Sequence, residues 1–468
     1  MLRKSIMLVA SLLVIAGFVL SACAPAAQPE APAAEEAAPA VEEAAPAAEE
    51  VAPAAEEAAP AEEITIRWRT RPDNQEEIDV YNNISQELDA KLEGITLVYE
   101  PGGTEGSNYQ DQLRTEVAAG TAPDVFWIPG TDIADFAERG LILNAADLAA
   151  QTEGFDVAAF YEGPMSHLTY NPETAASGAD SGALWGLPRD VSTFALYLNL
   201  DLIEEAGAPD PRELAAKGEW DWDAFLDVAQ KTRALGSDIY GYGASAWWGP
   251  YGVWLNAAGG GFFTADRNAC GLDSAESLAG LEFQRSLYQD YDVATPYGED
   301  PEPPFRAGKV AMFQNGRWAT PGVRTVEFNW DVVELPKGPN GNQGNWLFWG
   351  AYVINAKTAN PEQAWALVQA LTTAETQGKV AALGANIPSR VSQEAFDAFL
   401  TFTPPTNNQA FLNGLADSPA TEGPLWTGSW PEFDKIMGPA IQSVLTGGTS
   451  VEDFGATICD EANKVFNP

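Results

Sequence analysis

Hydrophobic and polar residues follow a regular order from Ile64 onward, in which short extended segments alternate with helical ones. The extended segments either alternate apolar and polar side chains or are continuously apolar, and both patterns are typical of strands. The helical segments repeat apolar residues every three or four positions, and two of them end at Gly120 and Gly140. This order predicts a mostly parallel sheet that is covered by helices on both faces. Strands are expected at 64–68, 95–99 and 124–128, and helices at 75–93, 109–119 and 133–139.

A second group of elements follows between residues 194 and 371, and the part from residue 396 onward has helical stretches broken by Pro and Gly. The region from Ile64 to Pro468 holds about 405 residues, which is more than one hydrophobic core usually contains, so we expect two lobes. In the second group, strands are expected at 194–199, 310–313, 332–335 and 352–354, and helices at 201–206, 221–235, 277–288 and 361–371.

Residues 1–22 have the pattern of a secretory signal peptide. Arg3 and Lys4 precede an apolar run from Ile6 to Leu20, which is too short for a stable membrane-spanning helix. The run closes with Leu20-Ser21-Ala22-Cys23, which resembles the lipobox of bacterial lipoproteins. This resemblance implies cleavage before Cys23 and acylation of that cysteine, and two or more acyl chains make such an anchor stable. The alternative is an ordinary signal peptide followed by an incidental cysteine.

Residues 23–63 consist almost wholly of Ala, Pro and Glu, in a repeating unit of about seven residues. Because the segment has no aromatic residue and no cation, it cannot bury a core, and its recurring prolines would break a long helix. We expect a disordered, self-repelling tether that holds the folded part away from the membrane surface. A short helical stalk is the alternative, and it would serve the same purpose.

The charge balance excludes several classes of partner. The chain has 25 basic and 67 acidic residues, which gives a net charge of −42. Such an acidic surface disfavours nucleic acid and anionic lipid, and it argues mildly against an anionic ligand. Since His167 is the only histidine, a zinc or copper site would have almost no ligands, and no nucleophile turn accompanies it for a catalytic triad. We therefore expect no metal and no other cofactor.

Two cysteines remain besides Cys23. Cys270 and Cys459 form an even pair in a chain that is expected to reach an oxidising compartment, so a disulfide between them is plausible. Two unpaired, buried thiols are the alternative.

Five segments of the globular region together resemble the family 1 extracellular solute-binding proteins, the group that includes maltose- and multiple-sugar-binding proteins. They stand in the order typical of that family and span about 280 residues. The chain departs from the family at 198–201, where Leu-Asn-Leu-Asp stands in place of the common Tyr-Asn-Lys. The segments are Leu113–Val125, Gly186–Asp190 with Leu196–Asn199, Phe305–Met312 with Asn315–Trp318, Pro361–Trp365, and Ile387–Arg390.

The resemblance implies an α/β, two-lobed periplasmic-binding-protein fold with hinge strands between the lobes and a central ligand cleft. Lobe one would comprise residues 64–190 and 350–395, and lobe two residues 191–349 and 396–468. The implied function is capture of a sugar or oligosaccharide and its delivery to the permease subunits of an ABC transporter. We expect a monomer without enzymatic activity, held outside the cytoplasm at the outer face of the cell membrane by its lipid anchor.

A sugar ring offers apolar C–H faces and a polar hydroxyl edge, so its site needs flat aromatic rings together with carboxylates, amides or guanidinium groups. The chain has 15 tryptophans, and several fall at predicted loop tips or crossovers. Trp127 ends the third strand, at the edge where open α/β sheets bind ligands, although core packing would also explain it. The candidate ring platforms are Trp127, Trp247, Trp248, Trp318, Trp349, Trp426 and Trp430, and the candidate polar partners are Arg71, Asp73 and Asp190.

Some of these residues have a competing interpretation. Asp73 would equally serve as a helix cap, and Arg189 and Arg317 would serve as structural ion-pair residues. By resemblance, a stacking tryptophan is expected at Trp318 and a partner for a ligand hydroxyl at Asp190.

Two other functions stay open at this point. The same fold would also bind a non-sugar solute such as a polyamine, a glycerol phosphodiester or a peptide, and a polyamine would suit an acidic cleft with stacked aromatic rings. A carbohydrate-active enzyme is the other alternative. It would need two carboxylates placed across a cleft, and no motif in the sequence isolates such a pair.

Overall fold

The computed structural model describes residues 64–72, 75–103, 108–416, 420–421, 426 and 428–466. The predicted signal peptide, the lipobox cysteine Cys23, the tether at 23–63 and the candidate ligand residue Asp73 lie outside the described residues. Among the helices of the described part, none combines the length and the apolar character that crossing a membrane requires.

The first sheet contains seven strands of the described chain, in the order β10-β4-β9-β3-β1-β2, with β11 paired to β9. Strands β1, β2 and β3 run parallel, as the alternation of strands and helices predicts. The expectation of a mostly parallel sheet is wrong, however, because β9 runs antiparallel to both β3 and β4. Strand β9 returns from the second half of the molecule instead of following a helical crossover, so it enters the sheet in the opposite direction. The strands are β1 Ile64–Thr70, β2 Ile95–Pro101, β3 Val125–Pro129, β4 Leu187–Ser192, β9 Trp346–Ile354, β10 Ile387–Pro388 and β11 Ala420–Thr421.

Within the described chain, the second sheet has four strands in the order β6-β7-β5-β8. Its central strand β5 is antiparallel to both neighbours, and β6 is parallel to β7. Side chains alternate across β5, so that Leu196 and Leu198 enter one hydrophobic core while Ala195 and Tyr197 enter the other. The strands are β5 Phe194–Asn199, β6 Tyr240–Ala244, β7 Val310–Gly316 and β8 Trp330–Val333.

Helices cover both sheets. Several begin with a side chain that accepts a backbone N–H, as Asp221 does for Ala224 at 3.0 Å. The helices are α1 Gln75–Asp89, α2 Tyr109–Ala119, α3 Ile133–Glu138, α4 Ala146–Ala150, α5 Glu162–Leu168, α6 Leu200–Glu205, α7 Pro211–Lys217, α8 Trp222–Arg233, α9 Trp248–Ala257, α10 Ala275–Gln289, α11 Glu302–Arg306, α12 Thr320–Val323, α13 Pro361–Leu371, α14 Ala374–Ala381, α15 Gln393–Leu400, α16 Gln409–Ala416, α17 Trp430–Leu445 and α18 Val451–Ala462.

Most predicted elements lie within a few residues of their observed positions, and those at 109–119, 194–199 and 361–371 agree at both ends. The first turn of α9 contains Gly249 and Pro250, which are typical of a loop, so the sequence predicts a helix that begins after Pro250 and not at Trp248. Strand β9 is longer than the expected 352–354, and all of its nine residues are buried. A continuously buried strand has no polar alternation that would mark where it begins.

We call the half built on the first sheet lobe one and the half built on the second sheet lobe two. The chain crosses between them from β4 into β5 and again into β9, and it returns to lobe two before α17. The side-chain amide of Asn345 joins the segments that enter β5 and β9, because it accepts from the Phe194 N–H at 3.0 Å and donates to the Phe194 carbonyl at 2.8 Å. The hydroxyl of Thr193 donates to the carbonyl of Phe411 at 2.8 Å and ties a third segment to the crossing. The residue bounds given above for the lobes stay a prediction.

Cys270 and Cys459 form a disulfide across 189 residues of sequence, with their Cα atoms 5.4 Å apart. Both cysteines are buried. The bond fastens α18 to the segment before α10, where the Cys270 N–H also donates to the side chain of Asn463 at 2.8 Å.

Candidate functional site

A cavity of about 520 Å³ lies where the two lobes face each other. Its volume falls within the range of ordinary small-molecule sites. Side chains from the carboxyl end of β3, from β4 and from β9 form one side, and residues of lobe two form the other. The lining residues are Arg71, Gln110, Trp127, Pro129, Thr131, Arg189, Asp190, Val191, Ser192, Trp247, Trp248, Trp318, Phe348, Trp349, Gly350, Asn386 and Asp434.

One side of the cavity is formed by Trp247, Trp248, Trp318 and Phe348, which we call the aromatic wall. Trp318 stands in a short turn directly after β7, and its ring meets Phe348 edge-on at 5.5 Å between centroids. Trp247 and Trp248 lie at right angles to each other, 5.0 Å apart, and both contact Phe348 at 5.6 Å. Edge-to-face contacts of this kind fix the plane of each ring. The wall therefore presents rings of fixed orientation to the cavity.

The opposite side is formed by Arg71, Trp127, Arg189, Asp190, Trp349 and Asn386, which we call the polar wall. The guanidinium groups of Arg71 and Arg189 lie 4.8 Å and 4.7 Å from the ring centre of Trp127. Arg189 also pairs with Asp190 at 2.7 Å. Burial acts to lower the pKa of Arg189, but the Asp190 carboxylate, together with Tyr81, Tyr352 and Glu77, outweighs that effect and holds the pKa well above its ordinary value. Arg189 is thus a permanent cation whose charge is balanced.

Four buried donors of the polar wall have no hydrogen-bond partner among the described residues. They are Nε of Arg71, Nε1 of Trp127, Nη1 of Arg189 and Nδ2 of Asn386. A buried donor without a partner costs free energy, and a ligand oxygen that accepts from it would recover that cost. The polar wall is therefore suited to a ligand that carries acceptor oxygens.

A carboxyl group stands at the aromatic side of the cavity. Burial raises the pKa of Asp434, on α17, while a hydrogen bond with the Tyr251 hydroxyl acts in the opposite direction. Within the described residues, no group of three or more His, Cys, Asp or Glu is placed to hold a metal ion.

The single histidine supports the polar wall from behind. The ring of His167 stacks on Trp349, with 5.9 Å between centroids and 24° between the planes. Burial, aided by the nearby charge of Arg267, lowers the pKa of His167 to about 3. The imidazole is therefore neutral at ordinary pH and acts as an aromatic support.

The structure brings seven of the ten predicted ligand residues to this cavity. Of the other three, Asp73 lies outside the described residues, and neither Trp426 nor Trp430 lines the cavity. The seven are Arg71, Trp127, Asp190, Trp247, Trp248, Trp318 and Trp349.

Trp430 opens α17 with its ring in the core of lobe two, 5.2 Å from Trp248 and 6.0 Å from Phe433. It stands behind the aromatic wall, because the apolar face of an amphipathic helix turns toward the core. Trp426 stacks on Tyr170 at 4.7 Å, away from the lining residues. The expectation that one of these two tryptophans is a ring platform therefore finds no support in their positions.

Arg317, considered above as an ion-pair residue, has no carboxylate partner among the described residues. Its side chain is fully buried, and its guanidinium lies 4.8 Å from the ring of Phe399 and 5.1 Å from that of Phe411. Burial lowers its pKa to about 10. Its backbone N–H donates to the Ser192 hydroxyl at 3.1 Å, so Arg317 belongs to the crossing between the lobes.

Sequence reasoning missed several lining residues, among them Gln110, Thr131, Phe348, Asn386 and Asp434. Gln110 and Thr131 follow the carboxyl ends of β2 and β3, which is the edge where ligand residues are expected, so their position was a usable signal. Asn386 and Asp434 come from distant parts of the chain, and no local pattern distinguishes them from surface residues.

Two α/β lobes that face each other across a cavity with one aromatic and one polar wall define a solute-binding protein. The chain belongs to the bacterial extracellular solute-binding proteins, and the model of that family matches residues 84–401. A galactooligosaccharide-binding protein of Bacillus subtilis is 26% identical over 355 residues, which cover 72% of this chain and 75% of the relative. A putative binding protein of Brucella abortus is 24% identical over 376 residues, 78% of this chain and 85% of the relative.

Solved structures share the fold. An ABC substrate-binding protein from Listeria monocytogenes in complex with cycloalternan has a TM-score of 0.76 and 19% identity, over 86% of this chain and 98% of that one. A Thermotoga lettingae solute-binding protein bound to α-D-tagatose has a TM-score of 0.71 and 24% identity, over 86% of this chain and 99% of that one. A Mycobacterium tuberculosis protein in complex with glycerophosphocholine has a TM-score of 0.72 and 18% identity, over 86% of this chain and 98% of that one.

Proposed function

We propose that this protein captures a neutral sugar or oligosaccharide outside the membrane and delivers it to the permease of an ABC importer, without chemical conversion of the ligand. The observation that carries this proposal is the pairing of the two walls in one cavity. Flat indole rings stand on one side, and buried N–H donors that lack a partner among the described residues stand on the other.

This pairing matches the two surfaces of a pyranose ring. The C–H faces are apolar and pack on indole rings, and Trp318 and Trp247 offer such rings on the aromatic wall. The hydroxyl edge accepts hydrogen bonds, and Arg71 and Asn386 offer donors on the polar wall. Asp190 and Asp434 line the same cavity and offer acceptors for the hydroxyl protons.

The names of the relatives support the same ligand class. Besides the galactooligosaccharide-binding protein, a maltooligosaccharide ABC transporter solute-binding lipoprotein of Streptococcus pneumoniae is 25% identical over 298 residues, 61% of this chain and 64% of the relative. Its name, which includes the word lipoprotein, also supports acylation at Cys23 after removal of residues 1–22 as a signal peptide.

A panel of ligands tests the proposal. Thermal shift and calorimetric titration would compare maltotriose, a galactooligosaccharide and tagatose with spermidine, glycerophosphocholine and a tripeptide. A ligand at 100 times its Kd stabilises the folded state by about 2.7 kcal/mol, which is a readily measured shift. We expect a response to at least one sugar and none to the other compounds. A response confined to the non-sugar compounds would refute the proposed ligand class.

A glycerol phosphodiester is the second candidate ligand, because Arg71 and Arg189 place two guanidinium groups beside one ring and one structural neighbour carries glycerophosphocholine. The same panel separates the two candidates. Incubation with oligosaccharides followed by product analysis tests the binding-only proposal, and any turnover would contradict it.

The anchor is tested in cells. Replacing Cys23 by Ala should release the protein from the membrane fraction into the surrounding fluid while sugar binding is kept. If Cys23→Ala protein stayed in the membrane fraction, the lipid anchor would be refuted.

A further inference from the structure

The indole ring of Trp127 lies directly against the α-carbon of Gly350. A Cβ built on Gly350 would overlap the Nε1 edge of this ring and would come within 2.6 Å of Cζ2, whereas real Cβ atoms do not come closer than 3.0 Å to a neighbour. Trp127 is on β3 and Gly350 is on β9, so the contact runs diagonally across two paired strands. Only glycine leaves room for the ring in this position.

The backbone at Gly350 is held on both sides. Gly350 pairs with Pro129 of β3 and with Asp190 of β4, in the interior of the first sheet. A new Cβ therefore cannot be accommodated by moving β9. The indole ring would have to move instead, by roughly 1 Å, to restore an ordinary carbon–carbon distance of about 3.5 Å.

The aromatic wall has the same arrangement. Trp318 folds back over Gly316, the last residue of β7, and a Cβ on Gly316 would overlap the six-membered ring of this tryptophan. Gly316 is itself held by its pairing with Phe194 of β5. One tryptophan on each wall of the cavity thus lies on a glycine of a fixed strand.

We propose that Gly350 and Gly316 are positioning residues, which set how far the rings of Trp127 and Trp318 project into the cavity and thereby determine which ligand fits between the walls. The proposal rests on the sugar-binding function proposed above. It adds that affinity depends on the absence of a side chain at two positions, of which Gly350 lines the cavity and Gly316 does not. A ring displaced by about 1 Å no longer matches the spacing that the ligand requires.

The first test is calorimetric titration of Gly350→Ala and Gly316→Ala with maltotriose, or with the sugar that gives the largest response in the panel above. We expect each variant to bind about tenfold more weakly than the wild type. A double variant tests whether the loss acts through the ring of Trp127. Once Trp127→Ala has removed that ring, adding Gly350→Ala should change affinity less than twofold. An unchanged affinity of Gly350→Ala, or an equal loss in both backgrounds, would overturn the proposal.

Two other glycines are controls. A Cβ added to Gly378 on α14 would have no atom within 4 Å. Gly378→Ala should therefore lower neither the affinity for maltotriose nor the melting temperature. Gly280 on α10 packs against the backbone of Trp254, away from the cavity. Gly280→Ala should lower the melting temperature and leave maltotriose affinity unchanged. A loss of affinity in Gly280→Ala equal to that of Gly350→Ala would show general destabilisation and overturn the proposal.

A second test does not need the ligand. In protein labelled with 5-fluorotryptophan, the fluorine resonance of Trp127 is identified by its loss in Trp127→Phe. Gly350→Ala should shift this resonance in the free protein, whereas Gly378→Ala should leave it in place. If no sugar binds, the proposed function fails while this spectrum still reports the ring position. A resonance that does not move in Gly350→Ala would overturn the positioning role.

Discussion

The two walls of the cavity use aromatic rings in different ways. On the aromatic wall, Trp247 and Trp248 meet edge-to-face, Trp318 meets Phe348 edge-to-face, and Trp247 packs on Phe348 at a tilt. On the polar wall, Trp127 is flanked by the cations Arg71 and Arg189 and has no such cluster of rings facing the cavity. The comparison indicates that the first wall presents apolar area and that the second presents directed hydrogen-bond donors.

A second comparison is between the residues that line the cavity and the residues that pack behind them. Trp430 supports the aromatic wall and His167 supports the polar wall, but neither lines the cavity. We expect residues behind the walls to determine stability and residues facing the cavity to determine affinity. The four predictions below test this distinction, from the largest expected effect to the smallest.

Replacing Trp430 by Ala should have the largest effect, on stability. Its ring is buried between Trp248 and Phe433, so its removal leaves a cavity and should lower the free energy of unfolding by about 3–5 kcal/mol. Denaturant unfolding of this variant measures the loss, and Trp430→Phe serves as the conservative control with a smaller loss and unchanged sugar affinity. A large loss of affinity in Trp430→Phe with unchanged stability would instead place this ring at the ligand.

The second prediction concerns pH and His167. Because its pKa is lowered from 6.5 to about 3 in the folded state, the unfolded chain binds an extra proton between these values, and stability falls as the pH drops. Two to three units of pH in this window correspond to about 3 kcal/mol. Unfolding at pH 7 and pH 4 should therefore show a smaller decline for His167→Phe than for the wild type, while sugar affinity of the two proteins stays alike. Equal declines would mean that His167 is not held neutral.

The third prediction concerns the face of the aromatic wall. Trp318 is half-buried and faces the cavity, so Trp318→Ala should weaken sugar binding by more than tenfold, about 1.4 kcal/mol or more, with little loss of stability. Calorimetric titration and a melting curve of the same preparation measure both quantities. Unchanged affinity would remove this tryptophan from the proposed ligand contacts.

The smallest of the four effects is expected on the polar wall. Arg71→Met keeps an unbranched stem but removes the guanidinium donors, and we expect sugar binding to weaken about fivefold to tenfold, or about 1 kcal/mol. Arg139→Met is the control, because Arg139 lies on the same lobe with its side chain 62% exposed and paired only at the surface with Asp135. Equal affinities of the two variants would show that Arg71 gives the ligand no hydrogen bond.

The sequence was sufficient to predict many of the elements and to name most of the tryptophans that line the cavity, for identifiable reasons. Trp127 ends a strand and Trp318 follows one, and strand ends meet at the ligand edge of an α/β sheet. The role of Trp430 was not predictable, because helical periodicity shows that a face is buried but not whether it meets a core or a cavity. Asn386 and Asp434 were missed since their place in the site depends on long-range packing.

The same limit applies to sheet direction. The alternation of strands and helices correctly predicted the parallel strands β1, β2 and β3, but nothing local shows that β9 joins them from the other lobe. The contact between Gly350 and Trp127 depends on that antiparallel pairing. Local sequence patterns therefore do not predict this contact between Gly350 and Trp127.

The amide of Asn345 constrains how ligands enter. It grips the backbone of Phe194 through both its oxygen and its nitrogen, so the two connecting segments cannot slide past each other unless both bonds break. We expect the lobes to open by rotation near this residue, because two hydrogen bonds to Phe194 resist sliding. The gap would then widen on the side away from Asn345, and an elongated solute would enter and leave from that side.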